Sequence, residues 1–184
     1  INQPPDVNLL QPDPDGTKYI YQADPEGREE NPLYVLSTED RARNRARTQG
    51  SLALKYLPFS WLTFDGNISY DRSDRRLNYF LDQGKKTSVS ATGGVGNISN
   101  FAGTTNTLNA EASANLLRKF GDFTVRSTGR VLLESETNEL TTAEGQDFAV
   151  PGVRSLDNAK TRFVSSSVET VKASGYFITL GGDY

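Results

Sequence analysis

Arg41, Arg43, Arg45 and Arg47 recur at every second position, so in an extended chain their guanidinium groups share one side. Asp65, Asn67 and Asp71 repeat the same spacing further on, and Glu111, Arg126 and Arg130 supply a third set. Guanidinium and carboxylate groups spaced in this way can hold an anionic or polar ligand, or they can pair with one another across neighbouring strands. Other chemistries are poorly served. The chain has no Cys and no His, which removes the thiolate and the imidazole from any catalytic or metal-binding scheme. Asp13-Pro14-Asp15-Gly16 hints at a calcium loop, but the Gly arrives too early for the ligand spacing and the prolines suit an extended turn. Gly93-Gly94-Val95-Gly96 lacks the strand and helix of a phosphate loop and reads as a plain loop. No carboxylate pair sits in a catalytic frame, so neither an enzyme nor a cofactor is expected. The formal net charge of -3 and the lack of a basic stripe argue against a nucleic-acid partner.

Alternating segments must position these side chains. Leu52, Leu54 and Tyr56 share one parity, and Ser51, Ala53 and Lys55 take the other. Past Pro58-Phe59-Ser60, Leu62, Phe64, Gly66, Ile68 and Tyr70 form one face, against Thr63, Asp65, Asn67, Ser69 and Asp71. Strict alternation of this kind predicts strands with one apolar and one polar face. Pro58, which has no N–H to give a ladder, is expected in the turn. Setting Leu57 opposite Trp61 aligns both stripes and puts Leu54 against Phe64 and Arg47 against Asp71. A second hairpin follows. Leu108, Ala110, Ala112, Ala114 and Leu116 run into a turn at 118–122, and Phe123, Val125, Gly129, Val131 and Leu133 return. Here the expected pairing sets Ala114 against Val125 and Asn109 against Arg130. A fifth, weaker strand is expected from about Val171 to Tyr184.

The connections alternate as well. Two turns are short, whereas the stretches from about Ser73 to Thr104 and from Thr137 to Thr161 read as long loops. Residues 1–42, rich in Pro, Gly and Asp, read as a further long loop segment, with strands and loops over 43–184. Short turns at one edge and long loops at the other match a transmembrane β-barrel, whose strands average out as polar and escape a search for apolar helices. Aromatic residues crowd the two ends: Tyr56, Phe59, Trp61, Phe64, Phe120 and Phe123 at the short turns, and Tyr70, Tyr79 and Phe80 opposite. They fit interfacial girdles, or alternatively the filling of a sandwich core. The polar face suits a wide, wet lumen, which makes Arg47, Asp65, Asn67, Asp71, Glu111, Arg126 and Arg130 the candidate substrate-facing residues. The fold class expected is therefore all-β: about five strands of a large antiparallel transmembrane barrel with long extracellular loops. Five strands cannot close such a barrel, and the chain contains no Met, so it is expected to be a piece of a longer protein.

"NPLYVL" at 31–36, "GSLALKYLPFSWLTFDGNISYD" at 50–71 and "ASGYFITLGGDY" at 173–184 occur in this order. Together they resemble the barrel of SusC/RagA-type TonB-linked outer-membrane transporters. The resemblance implies a barrel of about 22 strands with an N-terminal plug, in the bacterial outer membrane. It also implies energy coupling through TonB, and a lid-like SusD-type surface lipoprotein that captures glycans or peptides. Plug and TonB box would lie outside these residues. The function expected is uptake of oligosaccharide-class or peptide-class nutrients, with the lipid bilayer, the SusD-type lipoprotein and TonB as partners. Two other readings stay open: a passive porin-like barrel, and a soluble β-sandwich carbohydrate-binding module.

Overall fold

A computed structural model describes residues 7–22, 29–86 and 93–184. The expected loop segment 1–42 thus lies partly outside the described residues. The chain is all-β in character: a short helix α1 (Pro32–Thr38) precedes β1 (Glu39–Phe59), β2 (Leu62–Leu81), β3 (Asn97–Phe120), β4 (Phe123–Phe148) and β5 (Ala159–Asp183). The strands form one antiparallel sheet in the order β1-β2-β3-β4-β5, and it is open, with β1 and β5 as edges. Among the described residues no helix is long and apolar enough to cross a membrane, a fact that leaves strands untested.

The strands run well past the alternating segments. β2 reaches Leu81 and β3 starts at Asn97, so the connection is 82–96 and not 73–104; β4 reaches Phe148 and β5 starts at Ala159. Polarity misled the sequence reading at these ends. These ends carry single core residues, Phe80, Ile98, Phe148 and Ala159, among polar neighbours, so ladder hydrogen bonds extend the strands there without a continuous apolar stripe. The segment before β1 also departs from a plain loop, since α1 occupies its end. Asn31 caps that helix by accepting from Leu33 N–H, and Pro32 takes its first turn, where its missing N–H costs nothing.

Pro58 lies inside β1 and not in the turn, which is Ser60-Trp61. β1 is an edge strand, where a proline can aim its missing donor away from the ladder. Arg47 binds Asp71 and Arg45 Nε reaches Ser73 Oγ at 3.4 Å, contacts that fit the pairing expected for this hairpin. The β3–β4 pairing differs from expectation. Asn115 accepts from Thr128 at 2.9 Å and Asn138 from Thr105 at 2.8 Å, so Ala114 does not face Val125. The turn is only Gly121-Asp122, and Gly121 supplies the positive φ of +63° that a tight II′ hairpin requires at its first central residue.

The chain divides into two compact units, one comprising 1–44, 76–102 and 141–166, the other 45–75, 103–140 and 167–184. The first holds a core of Phe80, Ile98, Phe148 and Ala159 with Leu156 against it, and the Phe80 and Phe148 rings stack at 5.6 Å. Phe80 is therefore core and not girdle. Gly96, at φ +83°, backs onto the Phe148 ring, where a Cβ would come within 2.3 Å. The same unit buries Tyr34 completely. Its ring meets Tyr21 edge-on at 5.4 Å, and its hydroxyl accepts from Lys86 N–H at 2.7 Å.

In the second unit only Gly103 and Ser113 are buried among the described residues. Leu54, Tyr56, Ile68, Tyr176, Ile178 and Leu180 are exposed, Leu54 at 70% and Ile178 at 80%. Among the described residues no second layer covers them.

Candidate functional site

The candidate site is the polar face of the second unit. Odd positions of β1, β2 and β3 and even positions of β4 put their side chains there, because a strand turns successive side chains to opposite faces. Arg47 holds Asp71 through Nε at 3.0 Å to Oδ1 and through a closer Nη2 contact to Oδ2. Next along the face, Lys55 Nζ lies 3.7 Å from Asp65 Oδ1, and Asn115 donates to Asp65 Oδ2 at 2.9 Å. Thr128 in turn donates to Asn115, so a polar chain crosses four strands from Lys55 to Thr128. Arg130 reaches Glu111 at 3.1 Å. Arg126 does not join Glu111 as the sequence suggested; it binds Asp183 of β5 at 2.8 Å. The tighter turn causes this difference, because it slides β4 along β3 and carries Arg126 towards the turn, beyond Glu111.

Two depressions of about 360 and 380 Å³ lie in this face, and both are lined by Asn67 and Glu111. Asn109, Glu134, Ala173 and Gly175 complete the first; Ala53, Lys55 and Asp65 complete the second. Ala173 and Gly175 open the first because they add almost no side-chain bulk beside larger neighbours. Of the seven residues singled out from the sequence, Asn67 and Glu111 meet at both depressions and Asp65 at one. Arg47, Asp71, Arg126 and Arg130 line neither depression and are held in ion pairs, Arg130 with Glu111 itself. Sequence reasoning passed over Glu134, which faces the depression yet has no charge partner among the described residues. It also passed over Asp183, since a lone acid near the end of a weakly patterned strand gives no signal. Chemically, the carboxamides at these hollows can accept and donate hydrogen bonds, and the carboxylates can accept them, from hydroxyl or amide groups.

Of the four alternating arginines, Arg47 pairs with Asp71 and Arg45 meets Ser73. Arg41 takes Glu39 at 3.2 Å and lies over the Tyr79 ring, 4.9 Å from its centroid. Asp74 is held by Arg72 at 2.9 Å. The acidic turn at Asp13–Gly16 already has a cation. Lys86 Nζ lies 3.2 Å from Asp13 and 2.6 Å from Asp15. The hydrogen bond from that ammonium, helped by Thr17 N–H, holds the Asp15 carboxyl far below the usual carboxylate range. The same contact raises the Lys86 ammonium above its ordinary value. Around Tyr34 and Tyr21 burial dominates and pushes both phenols up. Among the described residues no group of His, Cys, Asp and Glu could hold a metal ion.

No family model matches this chain, and no curated protein matches it. The fold therefore defines its class alone: an all-β chain built as one open antiparallel sheet with a polar and an apolar face.

Proposed function

We propose that this chain forms part of the wall of a bacterial outer-membrane β-barrel that takes up nutrients of the oligosaccharide or peptide class with energy from TonB. One observation carries the membrane part of the reading. On β2 the even positions are apolar or Gly from Leu62 to Tyr70 and end at Arg72; on β3 they are apolar from Leu108 to Leu116 and end at Asn106 and Arg118. Tyr70 donates to Asn106 at 3.0 Å, so the two bands stop at the same level. Their length matches the roughly 9–11 residues that a tilted strand needs to cross a bilayer. Large apolar side chains exposed along such a band have no compensation in water but lose nothing in hydrocarbon.

The opposite face would line the lumen, most of its charges held in pairs, with Asn67, Glu111 and the unpaired Glu134 offering hydrogen bonds to a passing polar solute. Uptake coupled to TonB and capture by a SusD-type lipoprotein rest on the sequence resemblance alone. Spin labels at Phe64 and Asp65, in the full protein reconstituted into lipid vesicles, test the geometry. The Phe64 label should be relaxed by oxygen and shielded from a water-soluble nickel complex, and the Asp65 label should behave the other way. If both labels meet the nickel complex equally, the chain is a soluble module. Transport that persists at full rate in cells lacking TonB would leave a passive barrel.

A further inference from the structure

The basic groups of the second unit differ in their partners: Arg72, at the far end of the apolar band, holds Asp74, and Arg45 meets Ser73. On the polar side Arg47, Lys55, Arg126 and Arg130 each have a carboxylate partner. Arg118 has none among the described residues. Its parity on β3 is that of Leu116, Ala114 and Ala112, so it stands on the apolar side, at the turn end of the band. Two rings hold it there: its guanidinium lies 5.2 Å from the Trp61 centroid and 5.1 Å from that of Phe120. Stacking of this kind fixes the plane of the group while leaving its N–H donors free.

Two residues beyond Leu116 the same face sinks into an apolar trough of about 590 Å³. Gly66, Ala112, Ala114 and Gly129 form its low floor, and Tyr56 and Phe64 are among its larger walls. Ala114 to Arg118 is roughly 13 Å at the usual strand rise of about 3.3 Å per residue. A free cation at the headgroup level with an apolar channel leading away from it is complementary to one kind of molecule, an anion with a hydrocarbon tail.

We propose that Arg118 and this trough form a binding site for a membrane phospholipid, the guanidinium taking the phosphate and the trough taking an acyl chain. The site rests on the reading that the even-numbered face meets lipid. Short turns lie at the periplasmic edge of outer-membrane barrels, so the phospholipid would come from the inner leaflet. A planar fork of donors matches two phosphate oxygens, and unpaired positive charge at that depth attracts anionic headgroups. The lipid would seat the two turns at a set depth in the bilayer.

The test uses the full protein in nanodiscs of phosphatidylcholine containing palmitoyl-oleoyl phosphatidylglycerol. Lipid retained after extraction is counted by native mass spectrometry. Wild type should keep at least one phosphatidylglycerol, Arg118→Gln should keep at least fivefold less, and Ala114→Phe, which fills the trough with Arg118 intact, should lose it too. Heat-modifiable migration on gels checks that each variant is folded. Equal retention by wild type and folded Arg118→Gln overturns the proposal. The Phe64 label separates the two failures. A water-exposed label sinks the lipid-facing reading itself; a lipid-exposed label with unchanged retention sinks only the phospholipid site.

Discussion

The unit around Tyr34 and Phe148 and the unit around Asp65 and Phe64 solve the same problem in opposite ways. In the first, large rings and the cap Asn31 are fully or almost fully buried, and backbone donors such as Lys86 N–H end on side chains. Lys85 is itself buried against Glu39, a pairing that offsets part of the cost of hiding its charge. The second unit buries only Gly103 and Ser113 among its described residues. Its apolar side chains stay uncovered, and its polar ones satisfy each other across strands. A region that supplies its own core needs only water around it. A region with exposed Leu, Ile, Tyr and Phe along one face takes that half of its burial from its surroundings. The contrast teaches that stretches of the same strands can be stabilised in different ways, one by its own packing and one by its surroundings.

The largest test of this contrast lies at Tyr34. Tyr34→Ala should cost about 3–5 kcal/mol locally, since it removes a fully buried ring and leaves Lys86 N–H without its acceptor. Hydrogen exchange at the Lys86 amide would report it, and the amides of 103–140 should hardly change. On the other side of the comparison, Ala112→Arg places a charge in the middle of the apolar band. Ala112 is exposed, so a chain folded in water would shift by about 0.5 kcal/mol at most. In a bilayer the cost should be about 2–4 kcal/mol, read from folding titrations into lipid vesicles.

Acid offers a smaller, one-sided effect. The Asp15 carboxyl is lowered in the folded chain, so its contact with Lys86 stabilises the fold above the ordinary carboxylate value of about 4 and is lost as pH falls through its lower folded value. Lys86 is raised, so its share is complete below about 10.4 and disappears only as pH rises through its folded value. A fluorophore placed at Leu10, which is exposed, should therefore show residues 7–22 melting earlier at pH 2 than at pH 6. Asp15→Asn should flatten that acid arm; an unchanged acid arm in the variant would mean that Lys86 does not tie this segment down. The smallest effect is expected at Arg47. Its pair with Asp71 is open to solvent, so Arg47→Gln should cost under about 1 kcal/mol by chemical unfolding, and less at high salt.

Much of the second unit was legible before any coordinates. The alternation over 51–71 and 107–133 placed both faces correctly, because side chains on a strand repeat every two residues whatever lies around them. Arg47 meeting Asp71 followed from aligning two stripes. The candidate hollow was half legible. Asn67 and Glu111 carried the right parity, but Ala173 and Gly175 opened it by being small, a property that only neighbours reveal.

What local pattern determined, then, was strand character, facing and the first hairpin, since each depends on residues close in the chain. The tertiary structure alone decided the rest. It put Pro58 in an edge strand, closed the second hairpin at Gly121-Asp122 and so sent Arg126 to Asp183 and not to Glu111. It also turned Phe80 from a rim aromatic into core by setting Phe148 against it, some 70 residues away. Those outcomes depend on which distant segment arrives opposite, and packing against a distant partner leaves no periodic trace in either segment.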